Sequence, residues 1–113
     1  MYKKNINDIS RIVEELRKEA RKPVTEQKKI FKLIRIALGL TQHELALKLD
    51  VQLKTVSRWE LGKHVPNLTY KQFLTLSHEL KRLGIDFLGL NCYKVIMTPY
   101  DIKNVQMWYT NLN

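Results

Sequence analysis

Ile36-Ala37-Leu38-Gly39-Leu40-Thr41-Gln42-His43-Glu44-Leu45-Ala46-Leu47-Lys48-Leu49-Asp50-Val51-Gln52-Leu53-Lys54-Thr55-Val56-Ser57-Arg58-Trp59-Glu60-Leu61-Gly62 is the stretch whose reading decides the fold. Thr41 stands three residues before Glu44, so its hydroxyl can accept from a free first-turn N–H while Glu44 reaches back, a capping box that opens a short helix at about 42–49. Asp50 follows, Gln52 is placed to cap a second helix over 53–61, and Gly62 ends it. Leu45, Ala46, Leu49, Val51, Val56 and Trp59 point into one small core. The small side chain of Ala46 lets the two helices cross closely, near the ~90–120° of a helix-turn-helix. Removing the core-facing residues leaves Leu53, Lys54, Ser57 and Arg58, at i, i+1, i+4 and i+5, on one outward face of the second helix.

Working outward, Ile30, Phe31, Ile34, Ala37 and Leu38 recur at helical spacing before Gly39, which predicts a helix from Glu26 to Leu38. Ile6, Ile9, Ile12, Val13, Leu16 and Ala20 predict an amphipathic helix at about 6–21, ended by Pro23. Downstream, Pro66 breaks the chain and Asn67 is a cap for a fifth helix at about 68–83, with Phe73, Leu76, Ser77, Leu80 and Leu83 inward and Gly84 at its end. Tyr93-Lys94-Val95-Ile96-Met97 reads as a short strand, and Thr98-Pro99-Tyr100-Asp101 as the start of a helix at about 99–110. The expectation is an all-α chain: an N-terminal helical extension (1–25), a helix-turn-helix domain (26–84) and a C-terminal extension (85–113).

With 113 residues the chain has room for one compact domain and short extensions. A formal charge of +9 suggests a polyanionic partner. Segment by segment, residues 1–35 carry 11 basic and 5 acidic side chains, 36–84 carry 7 and 4, and 85–113 carry 2 and 2. The basic residues of the first segment interleave with Glu14, Glu15, Glu19 and Glu26, which reads as a solvated helix face or a further patch for such a partner. The neutral last segment holds Phe87, Tyr93, Tyr100, Trp108 and Tyr109, built either to cover the domain's own core or to meet a partner.

Cys92 is the sole cysteine, so no internal disulfide or zinc finger can form, and the composition fits a reducing compartment. His43, His64 and His78 are scattered, and no metal or cofactor is expected. No nucleophile elbow, paired carboxylates or phosphate loop frames a catalytic group, so an enzyme is not expected. No apolar run approaches the ~18 residues of a membrane span, and Met-Tyr-Lys-Lys-Asn does not open a signal peptide. A cytoplasmic protein with no membrane partner is the expectation.

Thr41-Gln42-x-Glu44-Leu45-Ala46 followed by Val51-x-x-x-Thr55-Val56-Ser57-Arg58-Trp59-Glu60-x-Gly62-x-x-x-Pro66 resembles the Cro- and phage-repressor-type helix-turn-helix family, also called Xre-like or lambda-repressor-like. The resemblance covers residues 28–66 well and reaches more loosely to 85. It implies a five-helix core that binds double-stranded DNA with the helix at 53–61 in the major groove. Leu53, Lys54, Ser57 and Arg58 would then meet base edges. Thr41, Gln42, Gln52, Thr55, Lys63 and His64 would contact phosphates, and Arg35 would pair with Glu60. Asp50 stands where the family usually has Gly, and Leu53 and Leu61 are apolar where polar contacts are common.

These expectations describe a transcriptional regulator, a repressor, acting as a homodimer on an inverted repeat. Two rivals belong to another class: an antitoxin whose extensions bind a toxin protein while the helix-turn-helix autoregulates the operon, and a scaffold that binds no nucleic acid.

Overall fold

The computed structural model describes residues 6–23, 27, 29–62, 65–90 and 92–112, the side chains at 6–8 and 107–112 excepted. In chain order the elements are helices α1 (Ile6–Ala20), α2 (Ile30–Ala37), α3 (Gln42–Leu49) and α4 (Leu53–Leu61), strand β1 (Asn67–Thr69), helix α5 (Tyr70–Lys81), a 3-10 turn (Phe87–Gly89), strand β2 (Lys94–Ile96) and helix α6 (Pro99–Leu112). The fold is the helical, lambda-repressor-like one, with a C-terminal extension that adds one small strand pair.

One buried cluster joins nearly every element. Val13 and Leu16 of α1 meet Ile30, Phe31 and Ile34 of α2, and the cluster continues through Leu45, Ala46, Leu49, Val56, Leu68, Leu76 and Leu80 to Ile85, Phe87, Leu90 and Cys92. The helix predicted at 6–21 and the turn beyond Gly84 therefore complete the same core as the helix-turn-helix. Burial pushes the Cys92 thiol up to about 12, which suits a packing residue and not a reactive one.

Three boundaries differ from the sequence reading, each for a visible reason. The helix predicted from 26 begins at Ile30, because the preceding segment closes the end of α1 instead. Gln27 donates from Nε2 to the carbonyls of Ala20 (3.0 Å) and Lys22 (2.7 Å), and the Lys29 N–H donates to Glu19 Oε2 at 2.8 Å. Glu26 itself lies outside the described residues. Glu19 Oε1 also pairs with Lys22 Nζ at 2.8 Å. Burial raises the Glu19 pKa, but the hydrogen bonds and charges of Lys22 and Lys29 outweigh it and hold the carboxyl below its ordinary value.

The fifth helix begins at Tyr70 and is capped by Thr69, not Asn67: Thr69 Oγ1 accepts from the Gln72 N–H, and the Thr69 N–H donates to Gln72 Oε1. Asn67-Leu68-Thr69 is instead a strand, pairing parallel to β2 in the register Asn67↔Lys94, Leu68↔Val95, Thr69↔Ile96 and sealing Leu68 in the core. The helix ends earlier than 83, at Lys81, and Gly84 takes φ 75° beyond it. Gln52 is the residue before α4 but makes no side-chain cap, since its chain is a methylene longer than the Asn or Asp side chains that reach the first turn.

Asp50 closes α3 in the left-handed region, at φ 54° and ψ 50°. A side chain there carries a steric cost that Asp bears better than most residues and glycine escapes. Asp50→Gly is therefore expected to raise stability by about 0.5 kcal/mol in denaturant melts, and Asp50→Ala to lower it. A gain from alanine would contradict the strain argument.

Candidate nucleic-acid interface

The geometry of the site starts with how α3 and α4 are fixed. The Glu44 N–H donates to Thr41 Oγ1 at 3.1 Å and the Thr41 N–H donates to Glu44 Oε1 at 2.9 Å, the reciprocal pair read from the sequence. Those bonds hold the exposed Glu44 carboxyl below its ordinary pKa. Beyond α3, the Val51 N–H reaches the Ala46 carbonyl at 3.0 Å, and the Thr55 N–H reaches the Gln52 carbonyl at 2.9 Å, so the turn is tied to both helices. Gly62 at φ 69° terminates α4.

Behind α4, Trp59 packs on Phe31 with ring centroids 5.4 Å apart, half-buried between α2 and α4. Beside it lies the ion pair: Arg35 Nε donates to Glu60 Oε2 at 2.7 Å and Nη2 to Glu60 Oε1 at 3.1 Å, while Nη1 donates to the Leu40 carbonyl at 3.0 Å. The pair is well shielded, with 15% of the Arg35 side chain and 7% of the Glu60 side chain exposed. It locks α4 to α2 and to the turn before α3.

Gln42, the first residue of α3, takes part as well: its Nε2 donates to Glu60 Oε1 at 3.1 Å. One amide proton of the residue expected at a phosphate is thus held by the carboxylate that anchors α4, which aligns the amide at the helix N-terminus. Sequence reasoning missed this contact, and also the bond from Gln72 Nε2 to the Leu49 carbonyl at 2.8 Å that ties α5 to the end of α3. The Thr69-x-x-Gln72 spacing was the available signal for the cap; nothing local marks Leu49 as the second partner. Lys48 pairs with Glu79 at 3.2 Å across the same two helices.

The opposite face of α4 presents Leu53, Lys54 and Arg58 exposed and Ser57 half-buried, while Val56 is fully buried on the inner face. Among the described residues neither Lys54 nor Arg58 forms an ion pair, so both cations are available to an external anion. Thr41 and Gln42 stand at the N-terminus of α3, and Gln52 and Thr55 at that of α4, where unpaired N–H groups and the helix dipole favour negative charge. Lys63 and His64 lie outside the described residues. Among the described residues no three His, Cys, Asp or Glu side chains gather into a metal-binding group, and no helix is long and apolar enough to cross a membrane.

Two short helices joined by a tight turn, the second with a buried inner face and an outer face whose cations form no ion pair among the described residues, make a helix-turn-helix. Residues 31–70 match the family model described as helix-turn-helix, the Cro- and phage-repressor-type (Xre-like) family of DNA-binding regulators. No curated protein and no solved structure matches the chain.

Proposed function

We propose that the protein is a sequence-specific, DNA-binding transcriptional repressor of the cytoplasm, reading the major groove with α4 as a homodimer on an inverted repeat. The observation that carries this reading is that Lys54 and Arg58 are exposed and form no ion pair among the described residues, on a helix whose other face is locked by Arg35, Glu60 and Trp59. Lys54, Ser57 and Arg58 are assigned to base edges, with Leu53 against a thymine methyl. Thr41, Gln42, Gln52, Thr55, Lys63 and His64 are assigned to phosphates, which set the register of the helix in the groove. One such helix spans few base pairs, so selectivity calls for two, about 34 Å apart or a multiple of that along the duplex. A dimer seated on an operator blocks polymerase there, which is repression.

Selection of bound sequences from a random duplex library tests the reading directly, and a palindromic consensus is the expected outcome. For a selected site, log affinity is expected to fall linearly with log salt, by about 0.9 for every phosphate neutralised. Binding without sequence preference rules the proposal out, and the absence of salt-dependent binding to duplex favours the scaffold.

A further inference from the structure

A hollow of about 550 Å³ opens between α5 and the turn that follows it, with Phe73, Ser77 and Lys81 on one side and Ile85, Phe87 and Leu88 on the other. That size, with a mostly apolar wall and a few polar groups, is the make-up of a small-molecule cleft. Leu53, Lys54, Ser57 and Arg58 take no part in it, so it is separate from the outward face of α4.

Phe73, Ser77 and Lys81 stand four residues apart on α5 and therefore follow one another along one face, ring, hydroxyl and ammonium. The floor is apolar: Ile85 and Phe87 are buried, and the Phe73 ring lies 5.8 Å from that of Phe87 at 29°. Leu88, at the rim, is 71% exposed, an apolar side chain that its own chain leaves uncovered. Ser77 is half-buried, and among the described residues its hydroxyl makes no hydrogen bond. Lys81 is exposed and forms no ion pair among the described residues.

Charge favours an anion in this place. Across the Gly84-Ile85-Asp86 turn lies a second hollow of about 360 Å³, edged by Arg17 and Arg21 of α1, which also form no ion pair among the described residues. Asp86 borders both hollows, but its carboxylate is engaged in the turn, where Oδ1 accepts from the Leu88 N–H at 3.1 Å. The end of a helix would by itself repel an anion through its free carbonyls. Here the turn takes them: the Leu83 and Ile85 N–H groups donate to the Leu80 carbonyl at 2.9 and 3.0 Å, and the Gly84 N–H to that of Lys81 at 3.0 Å.

We propose that the hollow binds a small aromatic carboxylate, its ring against Phe73 and Phe87 and its carboxylate between the Ser77 hydroxyl and the Lys81 ammonium. Offset stacking on the two phenylalanine rings favours an aromatic body over an acyl chain of equal area. The carboxylate gives the serine the acceptor it lacks and makes a charge-assisted bond with the lysine. Occupancy ties α5 to the turn after it, and α5 is in turn joined to α3 by the bond from Gln72 to the Leu49 carbonyl. The site stands whether or not the chain reads DNA as proposed above.

Calorimetric titration of the full chain with cinnamate tests this, with cinnamamide as the neutral isostere and decanoate as the acyl carboxylate. An ordinary ligand efficiency puts cinnamate at about millimolar affinity or tighter. Cinnamamide is expected to bind at least about tenfold more weakly, because it forfeits the charge-assisted bond. Lys81→Met keeps the aliphatic stem and removes the charge, and is expected to lower cinnamate affinity by about tenfold while leaving that of cinnamamide unchanged. Ser77→Ala is expected to weaken both. The comparison of acid with amide needs no variant, so it holds even if a substitution disturbs folding. Amide chemical shifts in a nuclear magnetic resonance titration are expected to move along 73–88 and not along α4. Absence of saturable cinnamate binding up to about 10 mM, equal affinity for the amide, tighter binding of decanoate, or full cinnamate affinity in Lys81→Met each overturns the proposal. Shifts centred on α4 overturn it as well.

Discussion

Glu60→Ala is expected to destabilise the protein by about 3 kcal/mol, the lower end of what removing one partner of a shielded ion pair costs. The magnitude comes from what is left behind. Arg35 loses the acceptor of two of its three hydrogen bonds, at Nε and Nη2, and keeps only the Leu40 carbonyl for Nη1. With 15% of its side chain exposed, the guanidinium can be partly rehydrated, which is why the upper end of the range is not expected. In thermal melts a loss of this size corresponds to a drop of about 10 °C. Gln42 also loses the acceptor of its amide, so DNA affinity is expected to fall by more than the unfolded fraction explains. A stability change below about 1 kcal/mol would mean that water replaces the pair at little cost, as it does for surface ion pairs.

The parts of this structure legible in the sequence are those set by neighbours in the chain. Thr41 and Glu44 are three residues apart and form their box wherever a helix starts, and Gly62 marks a left-handed position because few other residues adopt it at low cost, whereas Asp50 at φ 54° is signalled only by the glycine of the resembled family. Apolar spacing likewise placed α1, α3 and α4 to within a residue or so. The Arg35–Glu60 pair spans 25 residues and came from resemblance, not from local pattern. What stayed hidden is set by distant segments. Asn67 and Thr69 are both good caps in isolation, and only the pairing of 67–69 with 94–96 makes the first of them strand and leaves the second to begin α5.

The aromatic residues of the tail show the same limit. Phe87 and Tyr93 stack at 4.1 Å, the Tyr93 hydroxyl donates to the Phe87 carbonyl at 2.8 Å, and Phe73 packs 5.8 Å from each ring. Burial, with Cys92 and Asp86 nearby, pushes the Tyr93 phenol up to about 12. Tyr100, seven residues later, is left in solvent. Composition puts all three in one class, and only the course of the chain divides those that finish the core from the one that does not. Trp108 and Tyr109 lie on α6, with side chains outside the described residues.

Arg58→Ala separates reading bases from holding phosphates. The side chain is exposed and pairs with no carboxylate among the described residues, so its loss is expected to leave stability nearly unchanged. A guanidinium bound to guanine O6 and N7 contributes about 1–3 kcal/mol of discrimination at one base pair. If Arg58 makes that contact, affinity for the selected site falls roughly tenfold or more, while affinity for unrelated duplexes falls far less. The base preference at one position of each half-site then disappears from the selected consensus. An arginine that touches only phosphate gives the opposite pattern: affinity falls almost equally for all sequences, the consensus is kept, and the magnitude of the salt slope drops by about 1. The first pattern is expected because Arg58 lies one helical turn from Lys54 on the outward face of α4, whereas the phosphate-facing candidates cluster at the N-termini of α3 and α4. A uniform loss with an intact consensus would move the specificity of this helix onto Leu53, Lys54 and Ser57.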